Sequence, residues 1–232
     1  MEPRVLMLII LTVVCALSTV ALVGAEIKGN DTIRAVAKFM ASGSFVMIGL
    51  EALNVGATYE PFALWILIGL GLGALGDILL LGRSSKAFLA GLVAFLGGHV
   101  AYIVAATRVL PIDAWFGAAG IFAAIPIAAG GVALFAWLWP HLSSKHPEMR
   151  VPVIVYVIAI AAMVVAAIAV ARGHALPEPQ RFLFLVGAVL FFVSDLAVAR
   201  DKFVARTVTN RLWGLPTYFA GQLSIAWALI GL

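Results

Sequence analysis

Residues 152–171 read PVIVYVIAIAAMVVAAIAVA, a stretch with no charged side chain. A helix rises about 1.5 Å per residue, so a run of this length covers the ~30 Å hydrocarbon core of a bilayer. Similar runs recur on both sides of it, at about 5–23, 33–53, 62–81, 87–107, 114–138, 181–199 and 212–231. The pattern predicts an all-α, polytopic integral membrane bundle of eight helices, using residues 1–232 as a single transmembrane domain. Charges and helix breakers collect in the separators: Glu26 to Asp31, Glu60-Pro61, Gly82 to Lys86, Arg108 to Asp113, Pro140 to Arg150, Arg172 to Gln180 and Arg200 to Arg211. None of them is long enough to fold as a soluble domain.

Composition agrees. The chain is 64% hydrophobic and 11% charged, with mean hydropathy +1.12, whereas a water-soluble domain carries roughly a quarter charged residues. The net charge of +4 does not point to nucleic acid, because the basic residues lie in short loops and not on one helix face. Cys15 is the only cysteine, which excludes an intramolecular disulfide and a cysteine metal cluster. His141 and His146 flank a polar loop without a cysteine, so no metal site and no cofactor is expected. The first run ends at Val23-Gly24-Ala25, a sequence compatible with cleavage, but it exceeds the ~7–15 residues of a signal core and reads as a retained helix.

The basic residues set an expected orientation. Lys28, Arg34, Arg83, Lys86, Lys145, Arg150, Arg200, Lys202, Arg206 and Arg211 fall at the odd-numbered loops, against Arg4, Arg108, Arg172 and Arg181 on the other side. The positive-inside rule then places the odd loops in the cytoplasm and both termini outside. A weak internal likeness accompanies this. Gly76-Asp77-Ile78-Leu79 and Ser194-Asp195-Leu196-Ala197 each lead into a basic loop with a phenylalanine, Phe88 or Phe203, and then a helix with a tyrosine, Tyr102 or Tyr218. Four helices separate the copies, so a parallel repeat would bring both aspartates to the same membrane face.

Asp77 and Asp195 are therefore the candidate working residues. Each lies four or five residues inside a helix end, roughly 6–8 Å deep. An ionisable group there costs at least ~2.5 kcal/mol, so it is expected to face the bundle interior with a partner or a purpose. The bland alternative has both reaching back to headgroup water or a loop arginine. Lys38, at similar depth in helix 2, can pair with either aspartate or snorkel to the interface, and Glu51 reads as interfacial. His99 and Tyr102 lie deeper, where a lone histidine is often a helix-to-helix hydrogen bonder. Gln222 needs a partner inside the bundle, and shares one side of helix 8 loosely with Pro216 and Tyr218. No GxSxG, HExxH or phosphate-binding loop occurs.

Gly76-Asp77-Ile78-Leu79-Leu80, Phe88, Gly91, Phe95, His99 and Tyr102, followed by Ser194-Asp195-Leu196, Phe203, Pro216-Thr217-Tyr218 and Gln222, resemble the motifs of the YhhN family of membrane proteins over nearly the whole chain. One departure is Lys38-Phe39-Met40, where the family tends to have Lys-Pro-Leu. The resemblance implies lysoplasmalogenase activity, which cleaves the vinyl ether of lyso-plasmenyl phospholipids to a fatty aldehyde and a glycerophospho-base. It also implies a lysophospholipid substrate in a bacterial plasma (inner) membrane.

Such hydrolysis protonates the β carbon of the vinyl ether, gives an oxocarbenium ion, adds water and collapses through a hemiacetal. Two carboxylates close together in a low-dielectric site cannot both ionise easily, so one would serve as acid while the other stays anionic. Asp77 and Asp195 fit that pair in either assignment, by analogy with glycosidases. Lys38, Arg83 or Lys86 is expected to bind the phosphate, and His99, Tyr102, Tyr218 and Gln222 to line the pocket. Two other classes stay open: a transporter or lipid translocator using the aspartates as a proton relay or cation site, and a structural membrane protein that tolerates loss of both.

Overall fold

The computed structural model describes residues 2–54, 59–82, 84–116 and 118–232. They form eight helices: α1 (Pro3–Lys28), α2 (Asp31–Asn54), α3 (Glu60–Leu79), α4 (Ser85–Val109), α5 (Ala118–Lys145), α6 (Arg150–Arg172), α7 (Gln180–Ala199) and α8 (Val208–Trp227). No strand occurs among the described residues. Seven helices are long and apolar enough to cross a membrane, as expected of an integral membrane protein. The helix that falls short is α8, which carries Asn210, Arg211, Tyr218 and Gln222 within its length. It spends its polarity inward: Asn210, Tyr218 and Gln222 are all buried against neighbouring helices.

Two boundaries differ from the sequence expectation. The fifth helix was expected from residue 114, but Ile112–Phe116 forms a separate 3-10 turn. Trp115 is buried there and its indole Nε1 donates to the Leu110 carbonyl at 3.0 Å. At its other end α5 runs through Pro140 to Lys145 instead of stopping at the proline. Proline is tolerated inside such helices where neighbouring helices or Ser and Thr side chains satisfy the backbone groups it frees. Ser144 Oγ donates to the Pro140 carbonyl at 2.8 Å, adding a local partner in the turn that follows.

The helices pack on one another in the order α1, α2, α3, α4, α6, α7 and α8, and α8 returns to α1, α2 and α3. This closes a ring, with α5 outside it against α6. The buried core of Phe45, Phe62, Ile66, Leu70, Phe184, Phe191 and Phe219 fills the ring. Polar loops meet at one end: Glu26, at the end of α1, pairs with Arg34 of α2 at 3.9 Å and with Arg211 of α8 at 2.5 Å. Arg34 also donates to the Leu81 carbonyl beyond α3 at 2.8 Å. The odd-numbered loops thus share one face, while Arg4 and Glu51 pair at 3.4 Å at the opposite end.

The hairpins α3–α4 and α7–α8 are the tightest pairs, and glycine makes them so. Gly69 precedes Asp77, and Gly187 precedes Asp195, by the same eight residues. A Cβ at Gly69 would lie 2.3 Å from the Tyr102 ring, and one at Gly187 would lie 2.4 Å from Ile225 and 2.7 Å from the Gly221 carbonyl oxygen. Small residues let membrane helices approach closely where no hydrophobic force drives them together. Gly187→Ala is therefore expected to cost about 1–3 kcal/mol, because the obstruction is backbone and cannot rotate away. Thermal unfolding in detergent checks this, with Gly130→Ala as the neutral control, since nothing lies within 4 Å of a Cβ there.

Candidate active site

Asp77 occupies the last turn of α3 and is 2% exposed. A carboxylate so buried needs donors, and two helices supply them. On α2, Lys38 and Ser42 stand one turn apart on one face. Lys38 Nζ lies 3.2 Å from Asp77 Oδ1, and Ser42 Oγ donates to Oδ2 at 2.6 Å. From α8, the Tyr218 hydroxyl donates to the same Oδ2 at 2.8 Å. Behind it Gln222 Nε2 donates to the Tyr218 oxygen at 3.3 Å, and Gln222 Oε1 accepts from the Tyr102 hydroxyl of α4 at 2.7 Å. The network ties four helices to one carboxylate.

Asp195, on α7, keeps 15% of its side chain exposed and has a different set of partners. The Tyr156 hydroxyl of α6 donates to its Oδ2 at 3.0 Å, and His99 Nε2 of α4 lies 3.4 Å from the same oxygen and 3.0 Å from the Tyr156 oxygen. The hydroxyl's one proton already points to Asp195, so Nε2 carries the hydrogen. His99 Nδ1 is buried and has no partner. Among the described residues Asp77 thus faces an ammonium and two hydroxyls, whereas Asp195 faces a hydroxyl and an imidazole.

The two sites interlock. Tyr218, from the helix after Asp195, supports Asp77, and His99, from the helix after Asp77, supports Asp195. Phe191 packs against both Tyr218, at 5.3 Å between ring centres, and His99, at 4.6 Å. No hydrogen bond among the described residues joins the two carboxylates. Each carboxylate is supported by its own set of partners.

Both aspartates line one cavity of about 820 Å³, a volume that suits a small amphiphile. Tyr156, Tyr218, Phe95 and Phe191 line it beside them, and Leu134 of α5, Val153, Val157 and Ile160 of α6 and Leu92 of α4 give it an apolar flank. Glu26, Arg34, Asp201, Lys202, Arg206 and Arg211 line it where the loops converge.

Of the residues expected at the pocket wall, Tyr218 reaches the cavity. His99, Tyr102 and Gln222 stand behind it, fully buried, and orient the groups in front. Lys38 does not snorkel; it is buried and bound to Asp77. Lys86 is exposed in the first turn of α4 and does not line the cavity, and Arg83 lies outside the described residues. Two members of the site went unnoticed in the sequence. Ser42 had as its signal the four-residue spacing from Lys38. Tyr156 had its position as the one polar group in the otherwise apolar run 152–171.

The YhhN family model matches residues 4–229. The chain belongs to the YhhN family. Among curated YhhN-like relatives, proteins named lysoplasmalogenase from Mycobacterium bovis and Mycobacterium tuberculosis are each 34% identical over 184 residues, covering 78% of this chain and 64% of theirs. A Bos taurus protein named lysoplasmalogenase TMEM86A is 27% identical over 173 residues, covering 72% of this chain and 65% of its own. The chain thus spans somewhat less than two thirds of the length of these relatives. No solved structure matches. The matched region of this YhhN protein contains every residue of the two carboxylate networks.

Proposed function

We propose that this YhhN protein hydrolyses the vinyl ether of lysoplasmalogens. The observation that carries the reading is the cavity itself, which joins a charged mouth, an apolar flank and two buried aspartates in one space. A lysolipid keeps its phosphate at the interface and its chain among the tails, so its ether bond lies just below the headgroups, at the depth of Asp77 and Asp195. The names of the relatives support the same substrate class.

Asp195 is the acid in this reading. Among the described residues it has no lysine or arginine partner, and part of its side chain is exposed where it lines the cavity, so it is the group to hold a proton and deliver it to the β carbon of the vinyl ether. The double bond's electrons form the new C–H bond, and the ether oxygen shares the resulting positive charge. Asp77, anionic against Lys38 and oriented by Ser42 and Tyr218, stabilises that oxocarbenium ion. Preorganised charge in a water-poor site is effective because nothing has to reorient as the cation forms. Water adds to the cationic carbon, and the proton it sheds returns to Asp195. The hemiacetal then loses its alcohol, giving fatty aldehyde and glycerophospho-base, with one water consumed.

Purified protein supplied with a lysoplasmenyl lipid and its saturated-ether analogue tests the reading by mass spectrometry. Aldehyde is expected from the vinyl ether alone, because a saturated ether has no carbon that can accept the proton. A second reading draws on the chain Tyr102–Gln222–Tyr218–Asp77–Lys38, which has the form of a proton relay. If folded protein releases no aldehyde but moves lipid or cation in proteoliposomes along a pH gradient, the transporter replaces the hydrolase. The convergence of the basic odd loops supports placing the cavity mouth at the cytoplasmic face.

A further inference from the structure

We infer that the cavity mouth is a subsite for a zwitterionic phospho-ammonium head, in which Asn210 accepts a hydrogen bond from a primary ammonium. This rests on the hydrolase reading and extends it to the polar end of the substrate. Asn210 is 1% exposed and lines the cavity. Its Nδ2 donates to the Ala205 carbonyl at 2.7 Å and reaches Asp201 Oδ1 at 3.3 Å. Both neighbours are acceptors, so the amide cannot be turned round, and Oδ1 is left buried with no donor among the described residues. A buried acceptor without a donor is costly to leave unmet.

The ligand group that suits it has N–H bonds, and the two carboxylates near it, which also pair with Arg211 at 3.4 Å for Asp201 and 2.5 Å for Glu26, tolerate a positive charge on that group. Asp201 adjoins Asn210, and Glu26 lines the same mouth. Phosphate has its own partners. Lys202, held over the Phe88 ring at 4.4 Å, and the exposed Arg206 line the mouth, and neither pairs with a carboxylate among the described residues. The spacing agrees with this division. Asn210 and Tyr218 lie on one helix, eight residues apart, which is roughly 12 Å along its axis. From the vinyl ether oxygen to the ammonium nitrogen of an extended glycerophosphoethanolamine is roughly nine bonds, about 11 Å. With the ether at the aspartates, the ammonium therefore arrives at Asn210. A trimethylammonium head has the charge but no N–H, and leaves Oδ1 unmet.

The test is a series of lysoplasmenyl substrates bearing ethanolamine, its N-methyl and N,N-dimethyl derivatives, and choline, assayed by aldehyde release from the full-length protein in nanodiscs. kcat/KM is expected to fall along the series, with a drop of about tenfold between the last N–H donor and choline, mainly through KM. In Asn210→Leu the ratio of ethanolamine to choline kcat/KM is expected to collapse toward one, and Lys202→Gln is expected to raise KM for every head alike. The substrate series needs no variant, so a misfolded Asn210→Leu protein does not rescue the inference. Aldehyde released from all four heads with equal kcat/KM leaves the hydrolase standing and overturns the subsite, since water alone then satisfies Asn210. No aldehyde from any head overturns both.

Discussion

Asp195→Asn is expected to lower kcat for vinyl ether hydrolysis by about 10²–10⁴-fold, the usual contribution of a positioned general acid, with KM changed only a few-fold. The amide is nearly isosteric, and its oxygen still accepts from Tyr156 and His99, so the fold survives. What it cannot do is transfer a proton to carbon. Asp77→Asn is expected to lose a similar factor for a different reason: the oxocarbenium ion forms without an anion to face it. Tyr156→Phe should be milder, at about tenfold, because it removes one hydrogen bond to the acid and leaves His99 in place. Aldehyde release under single-turnover conditions, beside a thermal unfolding profile for each variant, reads these outcomes. Retention of more than a tenth of wild-type kcat by folded Asp195→Asn would remove Asp195 as the acid, and if Asp77→Asn alone abolished turnover the two roles would exchange.

The second large effect concerns stability. Lys38→Met should destabilise the protein by about 3–5 kcal/mol, the usual result of removing one partner from a buried ion pair. The Lys38 side chain is 10% exposed and that of Asp77 is 3% exposed, with 3.2 Å between the charged atoms. Without the ammonium, the carboxylate keeps Ser42 and Tyr218 but loses the one cation that pairs with it among the described residues. The double variant Lys38→Met/Asp77→Asn should recover most of the loss, because a neutral amide against a thioether asks for no counter-charge. Equilibrium unfolding in mixed micelles measures the four corners of this cycle. A Lys38→Met protein within about 1 kcal/mol of wild type would mean that Asp77 is not held as an anion, and its place in the mechanism would fall with that result.

The pairing of Lys38 with Asp77 also shows how far residue patterns carry. Eight helices follow from apolar runs and the charged breaks between them, because a bilayer allows few other ways to satisfy the backbone. The two aspartates are conspicuous for the same reason: a carboxylate is costly among lipid tails wherever the helix around it packs. Resemblance to the YhhN motifs pointed to Tyr218 and Gln222, and the need to satisfy a buried amide gave Gln222 a partner in principle. None of this says which side chain meets which. Asp77 and Tyr218 are 141 residues apart in the chain, and their meeting depends on α8 crossing the ring to α2 and α3. The signals of Ser42 and Tyr156, a four-residue spacing from Lys38 and a lone polar position in an apolar run, name no partner, since a serine or tyrosine in a membrane helix can be satisfied by the helix backbone or by the interface.

Local pattern was also silent on α5, which reads as one more span yet stands outside the ring, leaving α4 to pack directly on α6. The same packing gave the two aspartates different partners. Equivalent sequence contexts, Gly76-Asp77 and Ser194-Asp195, acquired a lysine, a serine and a tyrosine on one side and a tyrosine and a histidine on the other, because Lys38 lies on a helix that touches α3, whereas α4 and α6 bring His99 and Tyr156 to α7. Hydropathy decides that a segment enters the membrane and that its charges must be compensated. Which neighbour does the compensating is settled by helix contacts between distant parts of the chain, where a shift of a few ångströms exchanges one partner for another.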